Sequence, residues 1–203
     1  FSVTGRERLS TDGFNMCSPR VTLSEKEEQF ILPCGIEIRL KKNNFILEYL
    51  KNGETLFADR SPLAYNFQGE FGKNSYHYVT REKNEYIFGL GDKGGLLNKS
   101  GRAFRIETTD CMGYDAEKSD PLYKHIPFYI CENSVGCYGI FYDTADTSYM
   151  DFGKEINNYY PAYKYFETED NCLVYYVFFG TKLEILQQFS RLCGKQAFPP
   201  KWS

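Results

Sequence analysis

Alternating apolar and polar residues along much of the chain predict short antiparallel β-strands. In the segment 34–40, isoleucine and leucine alternate with charged residues, which is the pattern of a half-buried strand. Further strands are predicted at 45–50 and 54–57. Asn52 and Gly53, between these two strands, supply the two positive-φ residues of a tight hairpin. We therefore predict an antiparallel meander over residues 34–58.

The same pattern continues for most of the remaining length. Short segments rich in aromatic residues, with turn residues between them, predict strands at 76–80, 86–88, 103–108, 128–132, 136–142, 148–152, 163–167 and 173–179. The last of these is apolar at successive positions, which favours a central strand covered on both faces. Phe, Tyr and Trp make up 17% of the chain, and large rings pack well on pleated surfaces. The predicted fold class is therefore all-β, an antiparallel β-sandwich.

One helix is predicted near the end of the chain. Thr181 and Glu184 have the spacing of a capping box, in which the two side chains satisfy free backbone amides at the first turn. The apolar residues that follow form one stripe at helical spacing, namely Ile185, Leu186, Phe189, Leu192 and Cys193. Gly194 suits a left-handed C-terminal position, and Pro199 and Pro200 prevent continuation. We therefore divide the chain into a β-sandwich domain, 1–180, and a capped helix with linker, 181–203.

Composition excludes several classes of function. The 27 acidic residues outnumber the 24 basic ones, and no basic block suggests a nucleic-acid partner. The most apolar run, 172–180, is far shorter than the roughly 20 residues of a membrane span. Seven cysteines without a C-x-x-C pair, and only two histidines, argue against a zinc site, so no metal is expected. We interpret the thiols as free and mostly buried, which favours a reducing, cytoplasmic location.

A glycine-rich segment, 89–94, matches the pattern G-x-G-x-x-G and follows a predicted strand. A dinucleotide site also needs a helix that begins at this point, so that its first amides meet the phosphates. The residues that follow contain more glycine and no helical stripe. We therefore interpret the segment as a tight, irregular loop, and we expect no organic cofactor.

Two histidines offer a possible acid–base pair, as in an aldose epimerase. His77 and His125 could serve this chemistry if the fold brought them together. His77, however, lies between two tyrosines of a predicted strand, and we interpret it as a surface residue.

The segment 107–128 is long for a connection inside a compact domain, and long loops of this kind are often functional. It carries acidic and aromatic side chains, namely Asp110, Asp115, Glu117, Asp120, Tyr114 and Tyr123. Carboxylates accept hydrogen bonds from sugar hydroxyls, and aromatic faces stack on sugar C–H surfaces. The alternative is a solvated acidic loop in which the aspartates only form turns.

Three stretches of the chain resemble glycoside hydrolase family 31. They are YIFGLGDKGGLLNKSGR at 86–102, the pair TTD and GYD at 108–115, and DPLYKHIPF at 120–128. The helix and the sequence PPKWS at 199–203 resemble the family's lead-in to its catalytic barrel. Two positions depart from the family: Glu107 and Thr108 replace Trp-Asn, and Asp92 replaces a glutamate.

The resemblance implies a galactose-mutarotase-like β-sandwich that packs on a (β/α)8 barrel, and the barrel carries both catalytic carboxylates. Most members of the family are retaining α-glucosidases or α-xylosidases that need no metal or organic cofactor. It implies that no catalytic residue lies in this chain, and that the isolated chain is inactive. It also implies a substrate-binding role for Asp110, whose counterpart in the family hydrogen-bonds a substrate sugar.

The implied partners are an oligosaccharide or glycoside substrate and the intramolecular barrel, and an oligomer is possible. No nucleic acid or membrane is expected. Two alternatives stay open at this point. The chain could be a stand-alone carbohydrate-binding or scaffold module, or an epimerase-like enzyme that uses the two histidines.

Overall fold

The computed structural model describes residues 20–23, 27–67, 74–194 and 200–201. Within them it contains fourteen strands and one helix. The elements are β1 (Arg20–Leu23), β2 (Glu27–Ile31), β3 (Ile36–Lys41), β4 (Ile46–Lys51), β5 (Glu54–Ala58), β6 (Tyr65–Phe67), β7 (Ser75–Thr80), β8 (Tyr86–Gly91), β9 (Ala103–Ile106), β10 (His125–Glu132), β11 (Cys137–Tyr142), β12 (Ser148–Asp151), β13 (Tyr163–Thr168), β14 (Tyr175–Phe179) and α1 (Lys182–Cys193).

The described strands form three antiparallel sheets. Their strand orders are β1-β2-β3-β4-β5, β14-β11-β10-β8 and β6-β7-β13-β12-β9, and we call them the first, second and third sheets. The predicted all-β sandwich with one C-terminal helix is confirmed. Strands β1, β2 and β6 were not predicted from the sequence.

The predicted meander is also confirmed, because β3, β4 and β5 pair in chain order. The turn residues Asn52 and Gly53 have φ values of 53° and 83°, the left-handed conformations that the hairpin requires. Leu47 and Tyr49 of β4 are buried, and Glu48 between them is half-buried. The alternation therefore sets which face of this sheet meets the core.

The main core lies where the sheets face one another. Stacked rings join them: Phe57 of the first sheet lies 4.1 Å from Tyr138 of the second, and Tyr142 of the second lies 3.9 Å from Phe166 of the third. All four side chains are buried. Aromatic rings fill this core because each buries a large apolar area.

A second, smaller cluster lies between the second sheet and α1. Ile185 and Leu192 are buried here, and Phe189 stacks on Phe128 at 4.1 Å. The predicted stripe is thus correct at its centre, but Leu186 and Cys193 on its flank are exposed.

The ends of α1 confirm one capping prediction and correct the other. Thr181 is the N-cap, and it forms the complete capping box with Glu184. Gly194 has φ 90° and ψ 161°, so it has the predicted positive φ but not the left-handed helical conformation. The part of the predicted linker at 195–199 and 202–203 lies outside the described residues.

The position of β14 differs from the prediction. It lies at the edge of the second sheet rather than at its centre. Its sequence is apolar because the main core covers Tyr175 on one face, whereas the cluster under α1 covers Phe178 on the other. Burial on both faces does not require a strand neighbour on both sides.

Candidate functional site

The long connection between β9 and β10 is held in place mainly by Asp120. Its Oδ1 accepts a hydrogen bond from Lys93 Nζ at 2.8 Å, and its Oδ2 accepts one from the Arg105 backbone amide at 2.7 Å. The Lys93 side chain is fully buried in this ion pair. Both carboxylate oxygens of Asp120 thus bond groups of the protein itself, so Asp120 is a structural residue.

Asp115 has the role of a turn former. Its Oδ1 accepts a hydrogen bond from the Glu117 amide at 2.8 Å, and its own amide donates to Ser119 Oγ at 2.8 Å. These contacts close the turn at 115–119, as expected for an aspartate that bonds the backbone two residues on. For Asp115 the alternative interpretation, an aspartate that forms a turn, is the correct one, whereas Asp120 forms an ion pair that neither interpretation predicted.

Asp110 lies in the same loop, and its side chain is exposed. The residues on either side of it are fixed to the returning segment: the Thr109 amide donates to Leu122 O at 3.1 Å, and Tyr123 Oη donates to Cys111 O at 2.8 Å. Partial desolvation raises the pKa of Tyr123, and the negative charge of Asp110 raises it further. The structure thus presents a carboxylate to solvent beside an exposed aromatic ring.

The glycine-rich segment, 89–94, begins in β8 and packs closely against the strand that follows this loop, β10. Gly89 has φ 128°, and a Cβ atom placed there would lie 2.4 Å from the backbone oxygen of Phe128. Gly91 has φ 77°, and its Cβ would lie 2.8 Å from the backbone oxygen of Lys124. The glycines therefore allow β8 to approach β10 closely. The next described element is β9 rather than a helix, which is unlike a dinucleotide site, and residues 89–91 belong to β8, so only 92–94 lie in the predicted loop.

A cleft of about 890 Å³ lies between the β8–β9 connection and the β9–β10 loop. It is lined by Gly95, Leu96, Gly101, Arg102, Ala103, Ala116, Glu117, Lys118, Asp120 and Lys154. Asp110 is not among these residues, so the cleft and the Asp110 carboxylate are separate features. In the described residues, no three His, Cys, Asp or Glu side chains converge in a way that could hold a metal ion.

The interpretation of His77 as a surface residue is wrong. It is 1% exposed, and its ring nitrogens lie 2.9 Å from Tyr142 Oη and 3.0 Å from Asp59 Oδ1. His125 lies in a different sheet, with its Nδ1 3.4 Å from Thr108 Oγ1. Because His77 is enclosed by core partners, the two histidines do not form an acid–base pair.

A second buried polar group was missed at the sequence level. Lys164 Nζ lies 2.5 Å from Glu85 Oε2 and 3.9 Å from Cys131 Sγ, and all three side chains are buried. Burial raises the pKa of Cys131 to about 12. The alternation of the two strands could have revealed both residues. His77 lies on the same face of β7 as the core residue Val79, and Lys164 lies on the same face of β13 as the core residue Phe166.

The comparison with known families agrees with this geometry. Residues 5–151 match the family described as the glycosyl hydrolase 31 N-terminal galactose mutarotase-like domain. The chain belongs to this family. The resemblance that its loop sequences suggested is thereby confirmed, together with the galactose-mutarotase-like type of its β-sandwich.

Among curated relatives, alpha-glucosidase 2 of Bacillus thermoamyloliquefaciens is 28% identical over 210 aligned residues, which cover all of this chain and 26% of that protein. Alpha-xylosidase XylQ of Lactiplantibacillus pentosus is 27% identical over 194 residues, covering 93% of this chain and 24% of that protein. A solved GH31 dextranase of Flavobacterium johnsoniae superposes with a TM-score of 0.79 and 31% identity, covering 91% of this chain and 21% of that one. The chain therefore spans about a quarter of the length of these relatives.

The described helix, of 12 residues, is shorter than a membrane crossing requires. No disulfide joins the six cysteines of the described residues, but only Cys131 and Cys172 are buried. The expectation of mostly buried thiols is therefore wrong, since Cys34 and Cys193 are exposed.

Proposed function

We propose that this chain is the N-terminal, non-catalytic domain of a retaining α-glycosidase, with α-glucosidase activity as the preferred assignment. Family membership carries the proposal, and the relatives named above are glycosidases several times its length. In this proposal the chain packs on a (β/α)8 barrel that supplies the nucleophile and the acid. Retention requires those two carboxyl groups about 5–5.5 Å apart.

We further propose that Asp110 positions the substrate at the rim of the active site. Its exposure, its fixed backbone neighbours and the adjacent ring of Tyr123 support this role. A charge-assisted hydrogen bond from a sugar hydroxyl to this carboxylate is worth about 1.5–3 kcal/mol. The absence of disulfides among the described cysteines supports a reducing compartment, so we place the enzyme in the cytoplasm.

The test uses the chain joined to the sequence that follows it in its gene, with p-nitrophenyl α-glucoside as the substrate. We expect the longer protein to hydrolyse this substrate and the 203-residue chain alone to be inactive. Asp110→Asn should lower kcat/KM by about 10- to 100-fold, the factor that corresponds to the lost hydrogen bond.

A matched control is Asp146→Asn, which removes the charge of an exposed aspartate on the β11–β12 connection. It should leave kcat/KM unchanged. If Asp110→Asn behaves like this control, Asp110 does not contact the substrate. If the longer protein does not hydrolyse α-glucosides or α-xylosides, the assignment as an α-glycosidase domain is wrong.

A further inference from the structure

The outward face of the third sheet has an unusual composition. In β7, β12 and β13 the inward positions include Val79, Met150 and Phe166, which are buried in the main core. The eight outward positions of these strands are all Tyr, Thr, Asp or Glu: Tyr76, Tyr78, Thr80, Tyr149, Asp151, Tyr163, Tyr165 and Glu167. We call the five tyrosines among them the tyrosine face.

The rings form a continuous surface across three adjacent strands. Tyr78 and Tyr165 are register partners with ring centroids 5.5 Å apart, and Tyr165 and Tyr149 are 6.0 Å apart. The rings of Tyr76 and Tyr78 are within 6° of parallel at 5.9 Å. Four of these side chains are half-buried, whereas Tyr163 is buried. Part of the aromatic surface therefore reaches solvent.

Hydrogen bonds and a cation hold the rings in place. Tyr76 Oη donates to Glu167 Oε1 at 2.8 Å, and Tyr163 Oη donates to Glu155 Oε1 at 2.6 Å. The guanidinium of Arg60, a buried residue, lies 3.8 Å from the ring centre of Tyr78 and 4.7 Å from that of Tyr163, so it covers one face of each of these two rings. Such fixed rings provide contact area at low cost in conformational entropy.

This composition identifies a class of ligand. The outward positions of these strands carry no aliphatic side chain, so a ligand here would meet aromatic rings and polar groups. Aromatic faces are electron-rich and attract the C–H surfaces of a sugar ring, while carboxylates accept hydrogen bonds from hydroxyl groups.

We propose that the tyrosine face is a second carbohydrate-binding surface, which holds a neutral glucan chain away from the Asp110 loop. Glu167 supplies acceptor capacity, since its carboxylate has about four lone-pair sites and accepts two hydrogen bonds, from Tyr76 and from Asn74. The carboxylates at this face disfavour an anionic polysaccharide. The choice of a glucan rests on the proposed function.

The test is an NMR titration of the ¹⁵N-labelled 203-residue chain with maltoheptaose and with an isomalto-oligosaccharide. We expect chemical-shift changes at β7, β12 and β13. The double variant Tyr78→Ala/Tyr149→Ala should weaken binding by about tenfold or more, which corresponds to roughly 1.4 kcal/mol. Tyr86→Ala, at a 55% exposed tyrosine of the second sheet, is the matched control and should bind normally.

Milder variants keep the proposal testable if the double alanine variant does not fold. Glu167→Gln preserves shape but weakens acceptance of hydroxyl hydrogen bonds, so we expect weaker binding. Tyr78→Phe/Tyr149→Phe retains the rings, so we expect binding close to that of the parent chain. Circular dichroism of every variant establishes that the fold is preserved.

Three outcomes would overturn the proposal. They are the absence of shift changes at β7, β12 and β13 at millimolar sugar, changes confined to residues 107–124, and changes at the tyrosine face that depend on protein concentration without sugar. The last would identify a second copy of the chain as the occupant. None of them affects the hydrolysis test of Asp110, so failure of this surface and failure of the proposed function are distinguishable.

Discussion

The ion pair between Glu85 and Lys164 provides a sharp test of how this sandwich is held together. It joins the residue before β8, in the second sheet, to β13 in the third. The two side chains are 1% and 2% exposed, and Nζ lies 2.5 Å from Oε2. Glu85 Oε1 has no hydrogen-bond partner among the described residues. Lys164 is therefore the main compensation for a buried negative charge.

Replacing the lysine should be costly for this reason. Lys164→Met leaves the carboxylate buried and unpaired, and breaking such a pair costs about 3–5 kcal/mol. The double variant Glu85→Leu/Lys164→Met removes both charges, and we expect it to recover most of that loss. The ion pair thus makes the chain more stable than a variant that keeps only one of the two charges, but not more stable than a variant that lacks both.

Urea unfolding, followed by circular dichroism, measures these differences. With a slope of about 2 kcal/mol per molar urea, Lys164→Met should lower the midpoint by about 2 M. Lys83→Met, at an exposed lysine two residues from Glu85, is the control and should change stability by no more than about 0.5 kcal/mol. If Lys164→Met costs less than about 1 kcal/mol, or if the double variant is less stable than the single one, the reasoning is wrong.

Three further predictions concern backbone, thiol and helix cap. Gly89→Ala should destabilise the chain by about 1–3 kcal/mol in urea unfolding, because φ is 128° and the added Cβ meets Phe128 O; an unchanged midpoint would contradict the close approach of β8 to β10. Burial raises the pKa of Cys131 from 9.0 to about 12. Between pH 9 and 12 the folded chain therefore keeps the thiol proton that the unfolded chain loses, so the free energy of unfolding should fall as the pH rises through this range. The fall should be less steep in Cys131→Ala. An equal slope in both proteins would refute this. Thr181→Ala should cost about 1 kcal/mol through loss of the cap, whereas Ser190→Ala on the same helix should be neutral, and equal midpoints would exclude the cap.

Local features of this protein followed from the sequence. The hairpin at Asn52-Gly53 and the cap at Thr181 depend on residues a few positions apart, so their backbone conformations are set by side chains next to them. Alternation also located most strands to within a few residues. The loop sequences at 86–102 and 108–128 carry the family resemblance that the family comparison confirms.

The tertiary structure decided which polar residues are enclosed and which are presented. His77 is buried because β6 and β13 flank β7 and the second sheet covers it, which depends on contacts with residues as far along the chain as Tyr175. Asp120 and Asp110 belong to one acidic loop, yet only the first meets a buried lysine. The sequence determined the local shape of each strand and turn, because short-range sterics and hydrogen bonds suffice for that. Burial and partners come from strand pairing over long sequence separations, so only the folded chain could assign them.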